Sequence, residues 1–316
     1  MTCDLFTGSQ AGPCGASTIA LMHLSGVLTP IPTPFDDRDA VDLGRLRAAL
    51  TGWLATPLTG FVILGSNGEA ALLDDDESDR VVAAARDVVP ATRTFIVGTG
   101  RESTGATIQA TARAAALGAE AVLVRTPGFY KAQMTADVFV RHYTTVADRS
   151  PIPVLLYNFT VVTGVSLPVD AVARLATHPN IIGMKESGGD VQRIADLISA
   201  TPKDFALLAG SPSTFYAALG LGAVGGILAL GAVVPEACRR LFDLTKAGRD
   251  EDARALQQRL APLAKLLSTT AVPGLKAALA LTGCDVGIPR PPLVPLDSAT
   301  VAELAKALAF QGDVQA

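Results

Sequence analysis

The chain has little of what most metal, redox and membrane chemistries are built from. Its three histidines, His23, His142 and His178, lie far apart and form no H-x-x-x-H or H-x-H pair. That disfavours a metal-dependent mechanism while leaving distant ligands free to converge. The four cysteines, Cys3, Cys14, Cys238 and Cys284, show no close ligand spacing and read as reduced structural thiols. Apolar residues make up 49% of the sequence, yet no uninterrupted apolar stretch approaches the roughly 20 residues of a membrane helix. Lys and Arg number 26 against 30 Asp and Glu, a net charge of -4, with the basic residues scattered. This offers no electrostatic footprint for nucleic acid or an anionic membrane, and a small-molecule ligand fits better. Residues 1–24 contain no Lys or Arg. They lack the positive charge of a targeting segment and read as a disordered N-terminal extension, with a cytoplasmic location as the default.

What is present is a rhythm. Short apolar runs, Gly26 to Ile31, Gly60 to Leu64, Thr94 to Val97, Ala121 to Val124, Pro153 to Tyr157, Ile181 to Lys185, Phe205 to Ala209 and Val224 to Leu228, alternate with helical stretches. The latter include Leu43 to Leu54, Glu77 to Val89, Thr104 to Leu117, Ala136 to Ala147, Val169 to Ala176 and Val191 to Ser199, with apolar spacing suited to covering a parallel sheet. Eight such units predict an α/β fold, a closed (β/α)8 TIM barrel whose site lies at the carboxyl ends of its strands. An open doubly wound sheet would need a Gly-rich loop after strand one, where Thr29-Pro30-Ile31-Pro32-Thr33-Pro34 stands instead. The expected organisation is a barrel over residues 25–245 and a C-terminal helical appendage over 246–316, with Gly283 to Pro295 as a break before the last helix.

Lys185 ends an apolar run, Ile181-Ile182-Gly183-Met184-Lys185. Desolvation at a strand end lowers the pKa of an ammonium and frees a nucleophilic amine; a lysine snorkelling from the sheet edge is the rival reading. Strand five ends in Tyr157, and inward-facing residues on adjacent strands lie about 4.8 Å apart. Alternation puts Leu155 with Tyr157, and Ile181 and Gly183 with Lys185, with Gly183 leaving space beneath the lysine chain. A phenol beside an amine can move the protons that imine chemistry requires. The second strand ends in Gly65-Ser66-Asn67-Gly68-Glu69. Its glycines permit turns that aim amides at an anion such as a 2-oxo acid carboxylate, and Ser66 adds a hydroxyl for proton relay. Asp74 and Glu77 form a capping-box pair, and Ser103 or Thr104 caps the next helix. Gly210-Ser211 and Gly225-Gly226 leave room for a ligand near the backbone, although close packing explains them equally well.

At these residues the chain resembles the family of dihydrodipicolinate synthase and N-acetylneuraminate lyase. The resemblance is carried by Gly65 to Glu69, Thr126-Pro127, Tyr157-Asn158, Thr163-Gly164 and Gly183-Met184-Lys185-Glu186. It implies a pyruvate-handling barrel with no cofactor or metal beyond the covalent imine at Lys185. It also implies Tyr157 as proton shuttle, with Ser66 and Asn67 holding the 2-oxo acid carboxylate. The family's usual Thr-Thr pair is Ser-Asn here, as in the 4-hydroxy-2-oxoglutarate aldolase branch. Further similarity to that branch lies in His142-Tyr143, Ser150 to Pro153, Ser187 to Val191, Leu219-Gly220 and Val272 to Lys276. There Ser187 and Asn67 would contact the distal part of the substrate, with Gly210 beside them. The implied partners are pyruvate, an aldehyde and further copies of the chain, in a homotetramer built as a dimer of dimers.

Two departures bear on the substrate. The synthases carry arginine in the pattern Tyr-Asn-x-Pro-x-Arg-Thr-Gly, whereas Thr160 and Val162 replace the proline and arginine here. Loss of such a contact costs on the order of 1.5–3 kcal/mol, which disfavours dihydrodipicolinate synthesis. With Phe159 and Val161 the loop is apolar, so a larger sugar-derived or aromatic aldehyde stands beside glyoxylate as acceptor. Relatives also borrow a relay tyrosine across a dimer interface after Thr-Pro. Here Gly128-Phe129-Tyr130 follows, leaving Phe129 or Tyr130 at that position. The expected function is a class I lyase cleaving a 4-hydroxy-2-oxo acid to pyruvate and an aldehyde. Dihydrodipicolinate synthesis and a silent 2-oxo acid-binding barrel are the alternatives.

Overall fold

The computed structural model describes residues 24–312, so Cys3, Cys14, His23 and residues 1–23 of the expected extension lie outside the described residues, while Leu24, its last residue, is buried against the barrel interior. Eight parallel strands close into a barrel in sequence order: β1 (Gly26–Pro30), β2 (Gly60–Ile63), β3 (Thr94–Gly98), β4 (Ala121–Arg125), β5 (Val154–Asn158), β6 (Ile181–Glu186), β7 (Ala206–Ala209) and β8 (Gly225–Ile227). Every expected strand is found to within about two residues at either end. Closure relies on a glycine at the β8–β1 seam, where a Cβ on Gly225 would lie 2.3 Å from the Gly26 carbonyl oxygen.

Around the barrel run α1 (Leu43–Leu54), α2 (Asp75–Val88), α3 (Thr104–Ala116), α4 (Ala136–Arg149), the short α5 (Thr160–Thr163), α6 (Val169–Leu175), α7 (Val191–Ala200), α8 (Phe215–Leu221), α9 (Leu230–Val233) and α10 (Pro235–Lys246). Helix α2 starts two residues before the expected Glu77 because Asp74 caps it and Glu77 answers from the third helical position, completing the capping box. Ser103, not Thr104, caps α3 by accepting from Ala106 N. Two further helices, α11 (Asp250–Leu281) and α12 (Ser298–Gly312), form the C-terminal helical region. Helix α11 breaks at Ala271 (φ 50, ψ -132), two residues before Pro273, whose ring and missing N–H cannot continue the hydrogen-bond ladder.

The core has two parts. Leu28, Val62, Ile96, Leu123, Leu155, Tyr157, Leu208 and Ile227 fill the barrel, while a larger set packs strands against helices, including Leu256, Leu260 and Leu275 of α11. Strand β6 departs from simple alternation. Its register against β5 shifts between Val154 and Leu155, which pair with Ile181 and Gly183, leaving Ile182 as the extra residue. Ile181 therefore packs in the outer core and Ile182 against the inner one, correcting the expectation that Ile181 shares a face with Lys185.

Candidate active site

The bulge resets the phase of β6 so that Tyr157 pairs with Lys185, and Lys185 with Leu208 of β7. Tyr157 and Leu208 belong to the barrel interior, so Lys185 enters the same space at its carboxyl end. Both side chains are buried, Tyr157 at 3% and Lys185 at 4% exposure. Lys185 Nζ lies 3.4 Å from Tyr157 Oη and 4.4 Å from the centre of its ring. Gly183 serves another purpose than the expected one: a Cβ there would lie 2.3 Å from the Ala206 carbonyl oxygen, so it admits the backbone of β7.

Ser66 completes a chain of polar groups, its Oγ standing 3.2 Å from Tyr157 Oη. The loop carrying it takes its left-handed turns at Leu64 (φ 57) and Glu69 (φ 56), not at Gly65 or Gly68 as expected. Gly65 is extended. Gly68 instead sits close to Ile31, whose carbonyl oxygen would be 3.0 Å from a Cβ. Ser66 to Gly68 form one tight turn in which Gly68 N donates to Gly65 O and Glu69 N to Ser66 O. The amides left over are those of Ser66 and Asn67, and Asn67 is half-buried beside Ser66.

Carboxylates whose role the sequence did not reveal hold this site in place. Glu186, 1% exposed, accepts from both Asn158 Nδ2 and Arg193 Nε, the latter at 2.8 Å, and from Gly188 N. Glu69 pairs with Lys276 at 2.7 Å. Glu102 accepts from Gly128 N at 3.0 Å and Phe129 N at 2.9 Å and pairs with Arg125. Burial opposes its charge, but the Phe129 amide, Arg125 and the Gly128 amide outweigh it and hold its carboxyl below the ordinary range. The motif strings contain Glu69 and Glu186, and also their partners Lys276 and Asn158, but not the fact that they meet.

Ser187 and Gly210 meet at the ends of β6 and β7. A Cβ on Gly210 would lie 1.9 Å from Ser187 Oγ, so the missing side chain makes room for that hydroxyl. Gly226 is likewise explained by packing, against the Phe215 ring. Tyr130 is not brought to the Tyr157 hydroxyl within one chain: it is 69% exposed, and Phe129 beside it 75%. Val161 and Val162, 83% and 61% exposed, lie on the turn that Thr163 ties to Thr126 through a 3.1 Å hydroxyl contact. Among the described residues no group of three or more His, Cys, Asp or Glu could hold a metal ion, and no helix is long and apolar enough to cross a membrane.

A paired lysine and tyrosine at the barrel mouth recur in many chemistries, and comparison with known proteins decides among them. The family model described as the dihydrodipicolinate synthetase family matches residues 23–311. The chain belongs to that family. Among its curated relatives in the dihydrodipicolinate synthetase family is the 4-hydroxy-tetrahydrodipicolinate synthase of Exiguobacterium sp. strain AT1b, 36% identical over 285 residues, covering 90% of this chain and 97% of that one. The enzyme of the same name from Xanthomonas axonopodis pv. citri is 38% identical over 279 residues, covering 88% and 91%. Similar solved structures include the dihydrodipicolinate synthase of Acinetobacter baumannii complexed with pyruvate, with a TM-score of 0.87, 31% identity and coverage of 91% and 99%. That of Thermotoga maritima gives 0.87, 30%, and coverage of 92% and 99%. This member of the dihydrodipicolinate synthetase family is accordingly a lyase on a TIM barrel.

Proposed function

We propose that Lys185 forms an imine with the 2-oxo carbon of pyruvate and that the derived enamine makes or breaks a carbon–carbon bond with an aldehyde. The contact of Lys185 Nζ with Tyr157 Oη carries this reading. The amine adds to the ketone, the carbinolamine loses its oxygen as water, and a methyl proton leaves to give the enamine; addition to the aldehyde and hydrolysis return the free lysine. Each step moves a proton near the nitrogen, where Tyr157 can give or take it and pass it to Ser66. The amides of Ser66 and Asn67 suit the pyruvate carboxylate, since the turn occupies those of Gly68 and Glu69. Incubation with pyruvate and borohydride should leave a reduced pyruvate adduct on Lys185. No adduct, or one that persists in Lys185→Ala, defeats the proposal.

For the aldehyde, the names of the curated relatives support condensation with aspartate semialdehyde, as in 4-hydroxy-tetrahydrodipicolinate synthase. A second reading, reversible cleavage of a 4-hydroxy-2-oxo acid such as 4-hydroxy-2-oxoglutarate, is favoured by Val162 at the position where the synthase pattern carries arginine. A valine offers no charged contact to the semialdehyde carboxylate. Pyruvate release from 4-hydroxy-2-oxo acids, set against pyruvate consumption with aspartate semialdehyde, separates the two. Saturable pyruvate binding with turnover of neither supports a silent binding barrel. For assembly we infer a homotetramer built as a dimer of dimers, supported by the exposed apolar side chains Phe129, Tyr130, Val161 and Val162 and tested by sedimentation.

A further inference from the structure

Glu69 and Lys276 are the most completely buried opposite charges among the described ion pairs, with side chains 0% and 1% exposed and the charged atoms 2.7 Å apart. The reaction uses neither. Lys276 sits in α11 just after the break at Ala271, and it reaches across to the barrel mouth. Its ammonium forms an ion pair with Glu69 Oε1 and donates to the Thr33 carbonyl at 2.7 Å and the Ile288 carbonyl at 2.9 Å. Thr33 in turn donates its hydroxyl to the Gly68 carbonyl at 2.6 Å. The other Glu69 oxygen accepts from Arg290 N at 2.8 Å, and the Arg290 guanidinium binds both oxygens of Glu77 at 2.7 Å, below the same loop. The turn Ser66-Asn67-Gly68-Glu69 is thus held at its far end through both the Gly68 carbonyl and the Glu69 carboxylate.

Stability alone does not account for this arrangement. Burying an ion pair costs desolvation at both ends, and apolar replacements of similar volume are commonly as stable or more so. Glu69 also adopts a left-handed conformation (φ 56), unfavourable for a side chain with a Cβ, and needs surroundings that hold it there. What the pair does supply is a fixed orientation for the peptide groups immediately before it.

We propose that Lys276 is a positioning residue: acting through Glu69 and Thr33, it fixes the amides of Ser66 and Asn67 where the carboxylate of a 2-oxo acid docks. This rests on the imine reading above, and the test separates the two. The double variant Glu69→Leu with Lys276→Met removes both charges together, leaving neither unpaired. Rates of borohydride trapping at Lys185 are measured with pyruvate and with acetone, the methyl ketone that has no carboxylate. The expected result is a fall of about 10- to 100-fold in the preference for pyruvate over acetone, with acetone trapping and circular dichroism near wild type. Parallel loss with both ketones reduces Lys276 to a structural role, and an unchanged preference removes the role altogether; either overturns the proposal. Thr33→Val, which frees the Gly68 carbonyl without touching a charge, should lower the preference in the same direction, and an unchanged preference there also counts against it. Failure of the imine reading looks different: wild-type protein then gives no pyruvate adduct.

Discussion

Asn158 and Glu186 face each other one residue beyond Tyr157 and Lys185, and Asn158 Nδ2 stands 3.1 and 3.0 Å from the two carboxylate oxygens of Glu186. Alternation sends this pair to the opposite side of the sheet from Tyr157 and Lys185. The two strand ends are therefore pinned to each other from behind, and Asn158 Oδ1 extends the hold by accepting from Leu167 N at 2.9 Å.

Breaking that hold should be costly. Glu186→Ala leaves Arg193 without its carboxylate partner and Asn158 Nδ2 with only the long contact to Thr160 Oγ1, which is expected to cost about 3 kcal/mol or more. Glu186→Gln keeps an acceptor and should cost less. Urea unfolding measures both, and equal losses in the two variants would show that the charge, not the hydrogen-bond geometry, is what matters.

Tyr157→Phe keeps the ring that Lys185 packs over and removes only the hydroxyl. Turnover should fall by about 10²- to 10⁴-fold, the usual worth of a positioned acid–base group, while borohydride still traps pyruvate on Lys185. Ser66→Ala, one step further along the chain of hydroxyls, should lose less. A Tyr157→Phe enzyme with wild-type turnover would remove the proton-shuttle role.

Val162→Arg tests what the apolar turn selects. If the arginine of the synthase pattern is what grips aspartate semialdehyde, restoring it should raise kcat/KM for that substrate by about 10- to 100-fold, the equivalent of about 1.5–3 kcal/mol. No gain, with pyruvate trapping intact, would mean that this turn does not face the second substrate.

His142 should make stability depend on pH. Burial pushes it down to about 4, against the opposing charge of Glu102, while its Nδ1 meets Thr104 Oγ1 at 2.9 Å. Its unfolded value is 6.5, so below that pH the unfolded chain binds the proton that the folded protein refuses. The contribution is therefore undiminished above pH 6.5, is lost as the pH falls toward 4, and then levels off, a total on the order of 3 kcal/mol. His142→Gln should flatten that part of the curve in urea melts taken across this range; an unchanged slope would place the sensitivity elsewhere.

Much of the fold was legible because its signals are local. Helix α1 runs Leu43–Leu54, the span its apolar spacing marks, and Asp74 with Glu77 announces the start of α2 three residues apart. Local reasoning failed where backbone conformation was at issue. The positive φ angles fell on Leu64 and Glu69 although glycines flank both, and the bulge at Ile182 broke an alternation that the apolar run could not display. Gly183 read as space beneath the lysine chain and Gly210 as room for a ligand or for close packing, but the space is taken by Ala206 and Ser187.

By itself the sequence determined the barrel, its closed order of strands and the placing of Tyr157 and Lys185 at adjacent strand ends, while the register that pairs them rests on the bulge at Ile182. Strand periodicity and the right-handed βα repeat leave few other arrangements, and neighbouring strands bring their ends together. Tertiary structure alone decided what holds that pair and its loop in position. Lys276 meets the Thr33 carbonyl 243 residues away and Arg290 meets Glu77 at a separation of 213, contacts that exist only once the C-terminal helices have packed onto the barrel. No periodicity encodes them, because a buried ion pair depends on where two distant backbones come to rest.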